Sequence, residues 1–165
     1  MARASIKDIM KYLPLAYREG KNLEYREKML NASTVSGMAF TNVSLGIVHS
    51  MAHTLGSMFS LPHGLSNALL LPYVMKFNCQ NAEAAERYQS MAQEIGEDDF
   101  IEAVIKLRHE VGIPNKLSVL VPDRTAYVEK LDAMAEMALA DGCTKTNPVI
   151  PTIDQLKELF MEAYE

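Results

Sequence analysis

Helical periodicity governs almost the whole chain, and each apolar run stops where a helix should stop. Ser5 is placed to cap a first helix carrying Ile6, Ile9, Met10 and Leu13, which Pro14 should kink or split and Gly20 should end. Helix-forming runs follow from Leu23 to about Phe40 and from about Ser44 to Phe59. Ser60-Leu61-Pro62 is a cap and proline start for a fourth helix carrying Leu65, Ala68 and Leu69. Ala82 to Ile95 is a fifth, closed by Gly96. Asp98 or Asp99 caps a sixth over Phe100, Ile101, Val104 and Ile105, stopped by Gly112 and Pro114. Asp123 caps a seventh, from about Arg124 to Ala140, and Gly142 ends it. Thr152 caps the last, over Ile153, Leu156, Leu159 and Phe160. The only β-rich stretch, Leu117 to Val121, is too short to found a sheet. The expectation is an all-α fold, a single helical domain of about seven or eight helices spanning residues 1–165.

Composition excludes several classes. With 48% hydrophobic and 22% charged residues, the chain can bury a core and is not intrinsically disordered. The net charge is −5 and no Lys/Arg block stands out, so nucleic acid is not expected as a partner. No apolar stretch approaches the ~20 residues of a membrane span, and no signal peptide opens the chain, so a cytoplasmic location without membrane contact is expected. Cys79 and Cys143 are too few for a disulfide framework and fit reduced thiols.

Three of the four histidines, His49, His53 and His63, fall within fifteen residues. On a helix His49 and His53 are i, i+4 neighbours on one face. His63 lies in the first turn of the next helix, where a short loop can return it to that face. Imidazoles gathered this way can hold a metal or a substrate. The pattern leaves that reading and chance clustering equally open. Ser50 follows the first histidine, so the zincin motif fails. The fourth, His109, fits a surface position near a helix C-terminus. The glycines stand at least eight positions apart, which rules out GxGxxG and P-loop motifs.

The stretch from Gly46 through His49, His53 and Gly56 to Pro62-His63-Gly64-Leu65-Ser66-Asn67 resembles the signature of the iron-containing alcohol dehydrogenases. Ala32 to Phe40 resembles the helix before that signature. Asp141-Gly142-Cys143-Thr144 with Asn147-Pro148 resembles a segment near the family's C-terminus. The resemblance covers essentially the whole chain and implies the C-terminal helical domain, without the N-terminal NAD(P)-binding domain.

The resemblance implies that His49 and His63 ligate a divalent metal, iron first and zinc second. It places the intervening His53 beside the nicotinamide and the substrate, as the catalytic proton relay rather than a ligand, and Phe40 and Cys143 at the substrate pocket. The substrate class is a small alcohol or aldehyde, with NAD or NADP as cofactor in the complete enzyme. The family's remaining two ligands, an Asp and a His one turn apart, would lie upstream. The isolated chain is therefore expected to be inactive, with an incomplete metal site, and to self-associate or pair with a nucleotide-binding domain. The alternative is a non-catalytic helical assembly or interaction module derived from this fold.

Overall fold

The computed structural model describes residues 1–41 and 43–165. Among the described residues there are nine α-helices, two short 3-10 turns and no strand. The all-α expectation holds, and none of the helices is long and apolar enough to cross a membrane. The chain forms two compact units.

The first unit comprises Met1–Ser44 and Glu86–Gly112. It holds α1 (Ala2–Arg18), α2 (Leu23–Phe40), most of α5 (Ala82–Ile95) and α6 (Phe100–Glu110). α1 starts at Ala2 rather than at Ser5, and it runs unbroken through Pro14. Proline in a helix interior forfeits one hydrogen bond and costs about 3 kcal/mol. Packing against α2 and α6 carries α1 past that defect, with Pro14 itself buried. Asn22 caps α2 by accepting from the N–H groups of Glu24 and Tyr25. Arg3 reaches from α1 to Glu94 and Ser90 on α5. Asp99 caps α6 as expected, and Gly112 adopts a left-handed φ of 72° just past its end.

The second unit comprises Leu45–Ala85 and Ile113–Glu165. It holds α3 (Ile47–Phe59), α4 (His63–Asn78), α7 (Arg124–Glu129), α8 (Leu131–Ala140) and α9 (Ile153–Tyr164), with 3-10 turns at Leu117–Val119 and Gly142–Thr146. Its core is fully buried at Ile47, Met51, Leu55, Leu69, Leu70, Met134, Leu156 and Phe160. Truncating such a side chain to alanine typically costs about 2–5 kcal/mol. Tyr127 is buried among them, stacked 4.2 Å from the Tyr164 ring, and its hydroxyl donates to Phe160 O at 2.9 Å.

One more helix is present than expected, because the Asp123-capped segment divides at Lys130. Lys130 has φ −94° and ψ −4°, and its Nζ donates to Met58 O at 3.0 Å in the last turn of α3. That tie satisfies a carbonyl which the end of α3 leaves unpaired and sets a cation at the negative end of its dipole. Ser60, expected to cap α4, instead closes α3 with a left-handed φ of 56°. Within the β-rich stretch 117–121, Leu117–Val119 forms a 3-10 turn and no strand forms.

Candidate metal centre

The core dictates where the histidines of α3 point. Ile47, Met51 and Leu55 recur every four residues and face inward. At about 100° per residue, His49 and His53 then share the opposite side of the helix. His63 opens α4 three residues after the left-handed Ser60, which reverses the chain. Ring centroids are 5.1 Å apart for His49 and His63, 5.2 Å for His53 and His63, and 6.2 Å for His49 and His53. The helix-to-helix pairs are thus closer than the pair on one helix. One ligand atom from each of the three rings can be chosen within 4.8 Å of the others.

The position of α3 is fixed by Asn147. Its Oδ1 accepts from Ile47 N–H at 3.2 Å, one of the donors that a helix start leaves without an internal partner. Its Nδ2 donates to Asn78 Oδ1 at 2.6 Å and to Val149 O at 2.7 Å. Gly46 makes this approach possible, since a Cβ there would stand 2.6 Å from Asn147 Oδ1. Thr146 Oγ1 also donates to Leu45 O. The Gly142–Thr146 turn and the start of α3 are therefore pinned together.

The three rings differ in environment. His49 is half-buried, and its Nδ1 is enclosed without a hydrogen-bond partner. Burial first, then the neighbouring His63 and His53, push its pKa down, while Asp141 opposes weakly. His49 is thereby held neutral, the form in which imidazole binds metal. His63 Nε2 lies 3.1 Å from Asn67 Nδ2, which also donates to His63 O at 3.0 Å. His53 is exposed, and its Nδ1 donates to Asp141 Oδ2 at 2.8 Å. Burial pushes the Asp141 carboxyl up, but hydrogen bonds from His53 and Cys143 outweigh it and hold the group below its usual value. An ionised carboxylate only accepts, so the proton of this contact sits on Nδ1 and leaves Nε2 open.

Of the residues expected at the site, His49, His53 and His63 come together with Cys143, whose N–H donates to Asp141 Oδ1 at 2.8 Å. Phe40 ends α2, is exposed, and belongs to the first unit. His109 is exposed in the last turn of α6. Sequence reasoning did not single out Asp141 as the partner of His53, nor Asn147 as the clasp on α3. Both are long-range contacts without a local signal. Asn67 was more accessible, because it stands four residues after His63 on the same helix.

Imidazoles converging near a carboxylate, one with an enclosed and unpartnered nitrogen, form a donor set suited to a transition metal. Residues 1–164 match the family model of the iron-containing alcohol dehydrogenases, C-terminal part. The chain belongs to this family. It is 39% identical to an alcohol dehydrogenase of Thermococcus barophilus, a match spanning 99% of this chain and 43% of the relative. It superposes on the iron-containing alcohol dehydrogenase of Thermococcus thioreducens with a TM-score of 0.89 at 38% identity, covering 98% of this chain and 42% of the other. A sulfoacetaldehyde reductase from Bifidobacterium kashiwanohense, solved in complex with NAD+, gives a TM-score of 0.84 at 28% identity, covering 98% and 42% respectively. The chain thus spans less than half the length of these relatives.

Proposed function

We propose that these residues form the metal-binding helical part of an NAD(P)-linked alcohol dehydrogenase or aldehyde reductase, in which His49 and His63 hold a divalent metal, iron first and zinc second. The observation that carries the reading is the approach of His63 to within 5.1 Å of the His49 ring, across the reversal at Ser60. When bound, the metal supplies a Lewis acid for the oxygen of a small alcohol or aldehyde.

The chain's own residues then have separate tasks. His49, kept neutral by burial, offers a lone pair without competing for a proton. Asn67 orients His63 from one turn further along α4. His53 stands beside the nicotinamide and substrate, where Asp141 holds its ring by Nδ1 and leaves Nε2 to take or return the hydroxyl proton. Cys143 borders the substrate. The nicotinamide of NAD or NADP carries the hydride.

The 165 residues supply two of the family's four ligands and no dinucleotide-binding motif. On their own they do not turn over alcohol. Assay of the purified chain with a primary alcohol, NAD+ or NADP+ and ferrous ion tests this, and turnover above a metal-free control contradicts it. The other reading, a non-catalytic assembly module, is favoured by the exposed Leu23, Leu30 and Met38 along α2. Light scattering separates them, because chains that self-associate through this face gain mass with concentration whether or not metal is present.

A further inference from the structure

Two side-chain contacts join the middle of α3 to residues 141–146, and they run side by side. The outer one is the His53–Asp141 hydrogen bond, with the His53 side chain 44% and that of Asp141 23% exposed. The inner one lies three residues back on α3 and three residues on in the turn, where Thr144 Oγ1 stands 2.8 Å from Ser50 Oγ. Ser50 and Thr144 are both buried. Thr144 Oγ1 also donates to Ala138 O at 2.6 Å, in the last turn of α8. One threonine hydroxyl therefore ties together α3, the end of α8 and the turn that Asp141 opens.

The two contacts differ in strength. An imidazole–carboxylate pair open to solvent contributes little rigidity of its own. The inner contact is shielded from water, where a hydrogen bond is stronger and an unpaired hydroxyl is costly. Thr144 has one hydroxyl hydrogen and two neighbours: Ala138 O, which only accepts, and Ser50 Oγ, which can also donate. The hydrogens of the pair therefore suffice for both contacts. Apolar side chains of the same shape would hold the two segments together about as well. They would lack direction, because apolar contact lets a turn slide along a helix and a hydrogen bond does not.

We infer that Thr144, with Ser50 as its partner, is a positioning residue for His53: it sets the register between α3 and the turn in which Asp141 holds Nδ1 and leaves Nε2 free. The inference rests on the proton-relay role proposed for His53. Ser50 and His53 are neighbours on α3, three residues apart. Asp141 and Thr144 are locked together by the bond from Thr144 N–H to Asp141 O at 3.1 Å. Fixing Thr144 against Ser50 therefore fixes Asp141 against His53. Ser50 Oγ lies 3.4 Å from Asp141 Oδ1, too far to orient the carboxylate strongly, so the effect travels through the turn. Without the inner contact Asp141 can drift from the ring. The ring then presents either nitrogen, and the wrong one carries no proton to or from the substrate oxygen.

The test is 15N-detected NMR of the metal-free full chain at about pH 8.5, where a histidine ring is neutral. Thr144→Val keeps the shape and removes the hydroxyl, while Thr144→Ser keeps the hydroxyl. In the unaltered chain and in Thr144→Ser, the His53 ring nitrogens report the single tautomer protonated at Nδ1. In Thr144→Val they move toward the averaged shifts of a free imidazole. Ser50→Ala gives the same movement and serves should Thr144→Val fold poorly. A role in packing alone would lower the melting temperature and leave the ring nitrogens where they are. Unchanged ring shifts in folded Thr144→Val or Ser50→Ala therefore overturn the inference, as does a Thr144→Ser chain that behaves like Thr144→Val. Ferrous titration of the chain and of its His49→Ala and His63→Ala variants keeps the two readings apart. Binding that depends on those histidines, beside ring shifts that stay put in Thr144→Val, sinks this inference and leaves the proposed function standing. Ring shifts that move as expected, beside ferrous binding indifferent to His49 and His63, uphold the positioning and sink the metal reading.

Discussion

His53 Nδ1 and Asp141 Oδ2 stand 2.8 Å apart across 88 positions of sequence. The contact joins α3 to the turn that follows α8, and it settles which nitrogen of the ring faces outward. A general acid or base acts only when the correct nitrogen is presented, so the relay role proposed for His53 makes Asp141 its positioning residue.

Asp141→Ala should release both the ring and the turn. The same carboxylate caps the turn through the Cys143 N–H, so the substitution is expected to cost about 1–2 kcal/mol in urea denaturation. In 15N-detected NMR, the His53 ring should change from the tautomer protonated at Nδ1 to a mixture. Unchanged ring-nitrogen shifts in Asp141→Ala would contradict the assigned role.

Gly46→Ala should act on the site from a distance. The new Cβ would meet Asn147 Oδ1 at 2.6 Å and push away the group that caps Ile47 N–H. Leaving buried polar groups unsatisfied costs about 1–3 kcal/mol. Asn147→Ala should cost a similar amount, and the double variant less than the sum of the two, since both break one contact. Additive effects in chemical denaturation would show that the contact is not what ties them.

The alkaline limit should be set in part by Tyr127. Burial, and secondarily the neighbouring Tyr164, push its phenol well above the ordinary range. The folded pKa is higher than the unfolded one, so the folded state binds more protons above the unfolded value. Its stabilising contribution is complete below about pH 10 and is lost as pH rises beyond that point. Tyr127→Phe should flatten this alkaline loss, while costing about 1 kcal/mol at neutral pH through the hydrogen bond to Phe160 O. Equal alkaline slopes for the two proteins would argue against it.

The legible parts of the molecule were local. Asp99, Asp123 and Thr152 cap their helices as their spacing predicts, because a cap needs only its own first turn. The convergence of His49, His53 and His63 was also accessible, as helical spacing plus one short loop determines it. What escaped depends on packing between distant segments. Pro14 does not break α1, and Lys130 divides α7 from α8 through a bond to α3. Asp141 and Asn147 reach α3 from about 90 to 100 residues away. Propensity and periodicity carry no signal for such contacts.

In the proposed function His49 and His63 act together on one metal ion. Anaerobic calorimetric titration of ferrous ion into the chain tests this most directly, with His49→Ala, His63→Ala and the exposed His109→Ala as variants. The expected result is one ion per chain, affinity lowered at least about tenfold by either of the first two substitutions, and no change for His109→Ala. Equal affinity in all four proteins would contradict it.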